Sequence, residues 1–133
     1  MSKYNTEHFD PPAPVAYVTI RNPATGVSLH DILMLIDTGA DATALPRIQV
    51  DSLGVEADMS KTYEVVGFDG QSSKLSMAVL ELEFLNRKFN GQFLLVDQPF
   101  GILGRNILNN LSLMLDGPRR IWEGKISGKQ DRS

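Results

Sequence analysis

The residues best suited to chemistry lie in one short stretch. Leu33, Met34, Leu35 and Ile36 run straight into Asp37, and Thr38, Gly39 and Ala40 follow. An apolar run of this kind predicts a buried strand. A carboxylate at the end of such a strand is costly unless it is hydrogen-bonded or paired. Gly39 lets the chain turn and lets other backbone approach, and the Thr38 hydroxyl can both donate and accept. The expected product is one carboxylate, held by a tight loop, at the edge of a packed core. Taken alone, the stretch also fits an ordinary turn in which Asp37 bonds its own backbone.

A second stretch changes that balance. Phe100-Gly101-Ile102-Leu103-Gly104-Arg105-Asn106-Ile107-Leu108 places two apolar residues before Gly104, Arg105 and Asn106, and Leu103 lies 66 positions past Asp37. In order and separation, Asp37-Thr38-Gly39-Ala40-Asp41 and Ile102-Leu103-Gly104-Arg105-Asn106 resemble two motifs of the retropepsin-like aspartic proteases, the retroviral-type protease family. The resemblance runs from Val15 to Trp122. It implies an all-β fold: a closed barrel equivalent to half of an acid protease, with a flap hairpin and one short C-terminal helix. It also implies an aspartic endopeptidase that hydrolyses polypeptides without a cofactor or metal.

That chemistry needs two carboxylates around one water, one ionised to take a proton and one protonated to polarise the scissile carbonyl. Two such close groups share a proton and titrate as a unit. The chain carries no second Asp-Thr/Ser-Gly, so the simplest solution is a two-fold homodimer in which each copy supplies Asp37. The resemblance assigns Thr38 and Gly39 to the catalytic loop with Asp37. It assigns Ala40, Asp41 and Ala42, with Val66, Gly67, Phe68, Asp69 and Gly70 of the flap, to substrate binding. Gly104, Arg105 and Asn106 would support the site, with Arg105 pairing Asp41 and Asn106 bonding the Asp37 loop or Thr43. Ala42 stands where the family often has an acid, which implies a less polar pocket. Ala40 cannot donate to an ionised aspartate as serine would, so milder working acidity is expected than in a serine-bearing relative. The alternative function is a catalytically weak or inactive module of the same fold, used for dimerisation or peptide binding.

Composition sets the frame. One domain is expected from 133 residues, and 42% hydrophobic with 22% charged residues is ordinary for a globular chain. A net charge of −3 gives no reason to expect nucleic acid. There is no cysteine, hence no disulfide framework or thiolate metal site. No run suggests a membrane span or a signal peptide, so a cytoplasmic location is the default expectation.

The elements that must position these residues follow from the pattern. Residues 1–14 read as a proline-rich extended arm, 15–122 as the protease domain and 123–133 as a polar tail. Strands are expected over Val15–Ile20 and Val27–Ile36, with a turn at Asn22–Gly26 between them. Ile48, Val50, Leu53 and Val55 fit a short helix or a strand, broken near Gly54. Lys61–Val66 and Gln71–Leu85 form the expected flap strands around a glycine-bearing tip, with a bend or bulge near Ala78–Leu80. Phe89–Val96 is another strand. Ile102–Leu103 should mirror the Asp37 strand, Arg105–Asn110 should be helical, and Leu111–Leu115 should be a strand. Trp122 is either an anchor at a subunit interface or a cap on the chain's own core.

Overall fold

The computed structural model describes residues 1–66 and 69–125. In chain order it contains β1 (Ser2–Asn5), β2 (Ala13–Arg21), β3 (Ser28–Ile36), β4 (Ala44–Pro46), α1 (Arg47–Ser52), β5 (Asp58–Val66), β6 (Ser72–Phe84), β7 (Arg87–Val96), β8 (Gly101–Leu103), α2 (Arg105–Leu108), β9 (Ser112–Asp116) and β10 (Ile121–Lys125). Neighbouring strands follow the order β5-β6-β7-β4-β8-β3-β2-β1-β10-β9. An additional β6–β2 pairing closes β2, β3, β8, β4, β7 and β6 into a ring.

The ring forms because alternate residues on its long strands are apolar and share one face. Ala16, Val18 and Ile20 of β2 point inward with Ile32, Met34 and Ile36 of β3. Ala78, Leu80, Leu82 and Phe84 of β6, Phe93 and Leu95 of β7, and Leu103 of β8 complete the core. The expected bend near Ala78–Leu80 is not there, because residues 77–84 pair with β7 in unbroken register. Val79 simply faces outward, 56% exposed, so an apolar surface residue disguised a regular alternation. The break in register falls instead on β5, between Asp58 and Thr62.

The ambiguous stretch after β4 is a single helical turn and a half. Val50 and Leu53 are buried three positions apart, while Ile48 is exposed. Gly54, with φ of +82°, follows the C-cap Leu53 and ends the helix.

The first and last strands meet. β1 lies between β10 and β2, with Lys3 opposite Ile121 and Asn5 opposite Ala13. The Tyr4 N–H adds a bond to the Arg120 carbonyl at 2.9 Å. Trp122 is a cap on the chain's own core: it is buried, its ring lies 6.0 Å from that of Phe84, and its Nε1 donates to the Val15 carbonyl at 2.7 Å. Glu123–Lys125 were expected in the tail, but they continue β10 because they pair with Met114, Leu113 and Ser112. The rest of the expected tail lies outside the described residues.

Candidate active site

β3 ends at Ile36 and delivers Asp37 to the rim of the ring. The Asp37 N–H donates to the Leu103 carbonyl at 3.0 Å, extending the parallel β3–β8 ladder by one residue. The chain then turns back on itself. The Gly39 N–H donates to Asp37 Oδ1 at 2.9 Å, and the Ala40 N–H to the Asp37 carbonyl at 3.2 Å. One carboxylate oxygen is therefore fixed by backbone, and Thr38 and Gly39 stand exposed at the tip of the loop.

β4 returns on the far side of β8, so that β8 sits between the two strands flanking the loop. This arrangement makes Gly104 obligatory. A Cβ there would collide with the Ala42 carbonyl oxygen and carbon, and would lie 3.0 Å from the Ala40 oxygen. The contact admits a second set of bonds. The Gly104 N–H donates to Thr43 Oγ1 at 3.0 Å, and that hydroxyl donates onward to Asn106 Oδ1 at 2.7 Å. Thr43 is almost fully buried, and both of its hydroxyl functions are satisfied. Asn106 thus takes the second of the two partners the sequence suggested.

Arg105 does not take its expected partner. Its backbone N–H donates to the Ala40 carbonyl at 2.8 Å, and its Nη1 to the Thr38 carbonyl at 2.7 Å. The ion pairs among the described residues are Arg47–Asp97 and Arg119–Asp116, so an Arg105–Asp41 pair is not part of the structure. The guanidinium serves the loop's main chain, where a carbonyl left bare by the turn needs a donor. The Asp41 carboxylate instead accepts a long bond of 3.4 Å from the Tyr63 hydroxyl on β5.

A cleft of about 360 Å³ opens between this loop and β5, lined by Gly39, Asp41, Tyr63, Glu64, Val65, Val66 and Arg105. Of the expected substrate-binding residues, Asp41 and Val66 line it. Ala40 and Ala42 contribute backbone to the brace around Gly104 instead. Asp69 and Gly70 lie at the hairpin tip, where Asp69 Oδ1 accepts from the Gln71 N–H at 3.0 Å. Gly67 and Phe68 lie outside the described residues. Sequence reasoning missed Tyr63. Its only signal was an aromatic hydroxyl on the strand expected to form the flap.

Residues 12–116 match the family model for retroviral aspartyl protease. The chain belongs to that family. Members of the retroviral aspartyl protease family are aspartic proteases, so the chain sits among hydrolases of this kind. Its fold is also that of a solved structure of EIAV protease complexed with the inhibitor HBY-793. The two share 24% identity with a TM-score of 0.55, over 80% of this chain and 91% of the other. The retropepsin-like fold expected from the two motifs is thereby established.

Proposed function

We propose that this chain is an aspartic endopeptidase built as a homodimer, with Asp37 of each copy flanking one water. One carboxylate, ionised, takes a proton from the water, and the other, protonated, polarises the scissile carbonyl. The observation that carries this reading is the acid loop. A single aspartate has one oxygen held by backbone, sits on a loop braced by Gly104–Asn106, and presents an exposed tip beside an open cleft. One carboxylate is half of what the chemistry requires, and a second copy supplies the other half at a two-fold axis.

The remaining roles follow from position. Thr38 and Gly39 face the partner's loop and the substrate. Asp41, free of Arg105, offers its carboxylate to substrate backbone at the edge of the cleft. Val66, with Asp69 and Gly70 of the hairpin tip, covers an extended peptide and excludes water. The catalytic unit spans residues 15–122, with β1 pinned to it.

The test is cleavage of a diverse peptide library by the wild type and by Asp37→Asn over a dilution series. The substitution is expected to abolish cleavage while leaving the fold intact. Wild-type specific activity is expected to fall as the protein is diluted and the dimer dissociates. Undiminished cleavage by Asp37→Asn would overturn the proposal. A folded dimer that binds peptides and cleaves none would favour a binding module.

A further inference from the structure

We propose that the Tyr63 hydroxyl binds the main chain of the substrate, working with Asp41 as a donor and acceptor that grip one extended residue. This rests on the protease reading above and goes beyond it by giving Tyr63 a role. Tyr63 and Asp41 both line the cleft of about 360 Å³, one from β5 and the other from the acid loop.

Both groups are held in place, and neither is used up. Thr62–Val66 pair with residues 72–76 of β6 in continuous register, with Tyr63 opposite Leu75, so the ladder fixes where the phenol begins. Tyr63 is 37% exposed, and Asp41 is exposed as well. A hydroxyl on a carboxylate normally sits at about 2.5–2.7 Å, so their mutual contact at 3.4 Å is slack and easily given up. Asp41 takes part in no ion pair among the described residues. Arg105, the other side chain with a donor in the cleft lining, is engaged with the Thr38 carbonyl at 2.7 Å.

The spacing suits a peptide backbone. In an extended chain the N–H and C=O of one residue point to the same side, which is how facing residues of an antiparallel ladder exchange two bonds. An acceptor and a donor 3.4 Å apart present the matching half of such an exchange. The Asp41 carboxylate accepts the substrate N–H. The Tyr63 hydroxyl, released from Asp41, donates to the carbonyl of the same residue. Neither contact reads a substrate side chain, so the pair tolerates any residue except proline, which has no N–H to give. Binding away from the reacting bond holds ground state and transition state alike, so its loss raises KM and leaves kcat in place.

The test is made on binding as well as on turnover. A peptide that the wild type cleaves is resynthesised with a single backbone ester at each position in turn. An ester lacks the N–H, and its carbonyl is a poorer acceptor. Affinities are measured for Asp37→Asn, and for Asp37→Asn combined with Tyr63→Phe, at a protein concentration on the plateau of the dilution series. Adding Tyr63→Phe is expected to weaken the all-amide peptide roughly threefold to tenfold, the worth of one hydrogen bond. At one position the loss caused by the ester is expected to shrink when Tyr63→Phe is present, while esters elsewhere keep their full effect. With Asp37 intact, Tyr63→Phe is expected to raise KM by a similar factor. Tyr17→Phe, at a tyrosine of β2 that is 59% exposed, is expected to change none of these values. Equal affinity with and without the Tyr63 hydroxyl, or ester effects identical in the two backgrounds, overturns the role of Tyr63 and leaves the protease reading standing. A wild type that cleaves no peptide overturns both.

Discussion

The acid loop and the strand that faces it across the cleft are held in opposite ways. Between Asp37 and Thr43 the main chain is tied to β8 and α2 through Asp37–Leu103, Arg105–Ala40, Arg105–Thr38 and Gly104–Thr43, all between 2.7 and 3.0 Å. The Thr43 hydroxyl at the centre of this brace is buried. Residues 61–66 of β5 are exposed throughout. The side-chain bond that ties them to the loop, Tyr63 to Asp41, is 3.4 Å long, at the limit of a useful hydrogen bond. An acid must be placed to within a fraction of an ångström to act on a bound water. A cover has to move aside for substrate, and elements that move are drawn from the weakly anchored end of a fold. In the proposed protease, the rigid side carries the charge, and the mobile role falls to the side with few anchors.

Mutations can break this contrast or sharpen it. Gly104→Ala should have the largest effect, since its Cβ has no space against the Ala42 carbonyl. A loss of about 3 kcal/mol, near the top of the usual range for overpacking, is expected in urea unfolding. Thr43→Val should come next. It strips the Gly104 N–H and Asn106 of their shared partner in a buried place, at about 2 kcal/mol. Tyr63→Phe should change stability by less than about 0.5 kcal/mol. Its expected signature is faster amide exchange over residues 58–66 and a raised KM with little change in kcat. Should Tyr63→Phe destabilise the chain as much as Thr43→Val, the contrast between the two sides is wrong. Ala40→Ser should leave stability nearly untouched. Its new hydroxyl can donate to the ionised acid, which should move the acidic limb of the pH–rate profile to lower pH. An unmoved profile would show that residue 40 does not reach the acid.

The same contrast explains what could be read from the residues alone. The long strands of the ring, β2, β3, β6 and β7, were readable because each turns apolar residues to the core, whereas β4, buried at all three of its residues, carries no alternation and was not expected. The acid loop and its brace were readable because Asp37, Gly39 and Gly104 each answer a local requirement of charge, turn or close approach. Arg105's true partner was not readable. A carbonyl left unpaired by a turn has no side chain to advertise it, whereas Asp41 stands in the sequence as an obvious counter-charge. β1 was hidden for a related reason. Ser2–Asn5 has little apolar character of its own and becomes a strand because β2 and β10 offer it two edges. The same pairing drew Glu123–Lys125 out of the expected tail. Trp122 could not be settled beforehand, since a lone large aromatic suits an interface and a core equally, and only Phe84 and the Val15 carbonyl decide between them.

That indole has a practical consequence. It is the chain's one tryptophan, and it is sealed where the first and last strands are sewn together. Its fluorescence should therefore report on the integrity of a single copy and stay blue-shifted when copies merely drift apart. Emission that reddens on simple dilution, before any denaturant is added, would mean that each copy depends on its twin to stay folded.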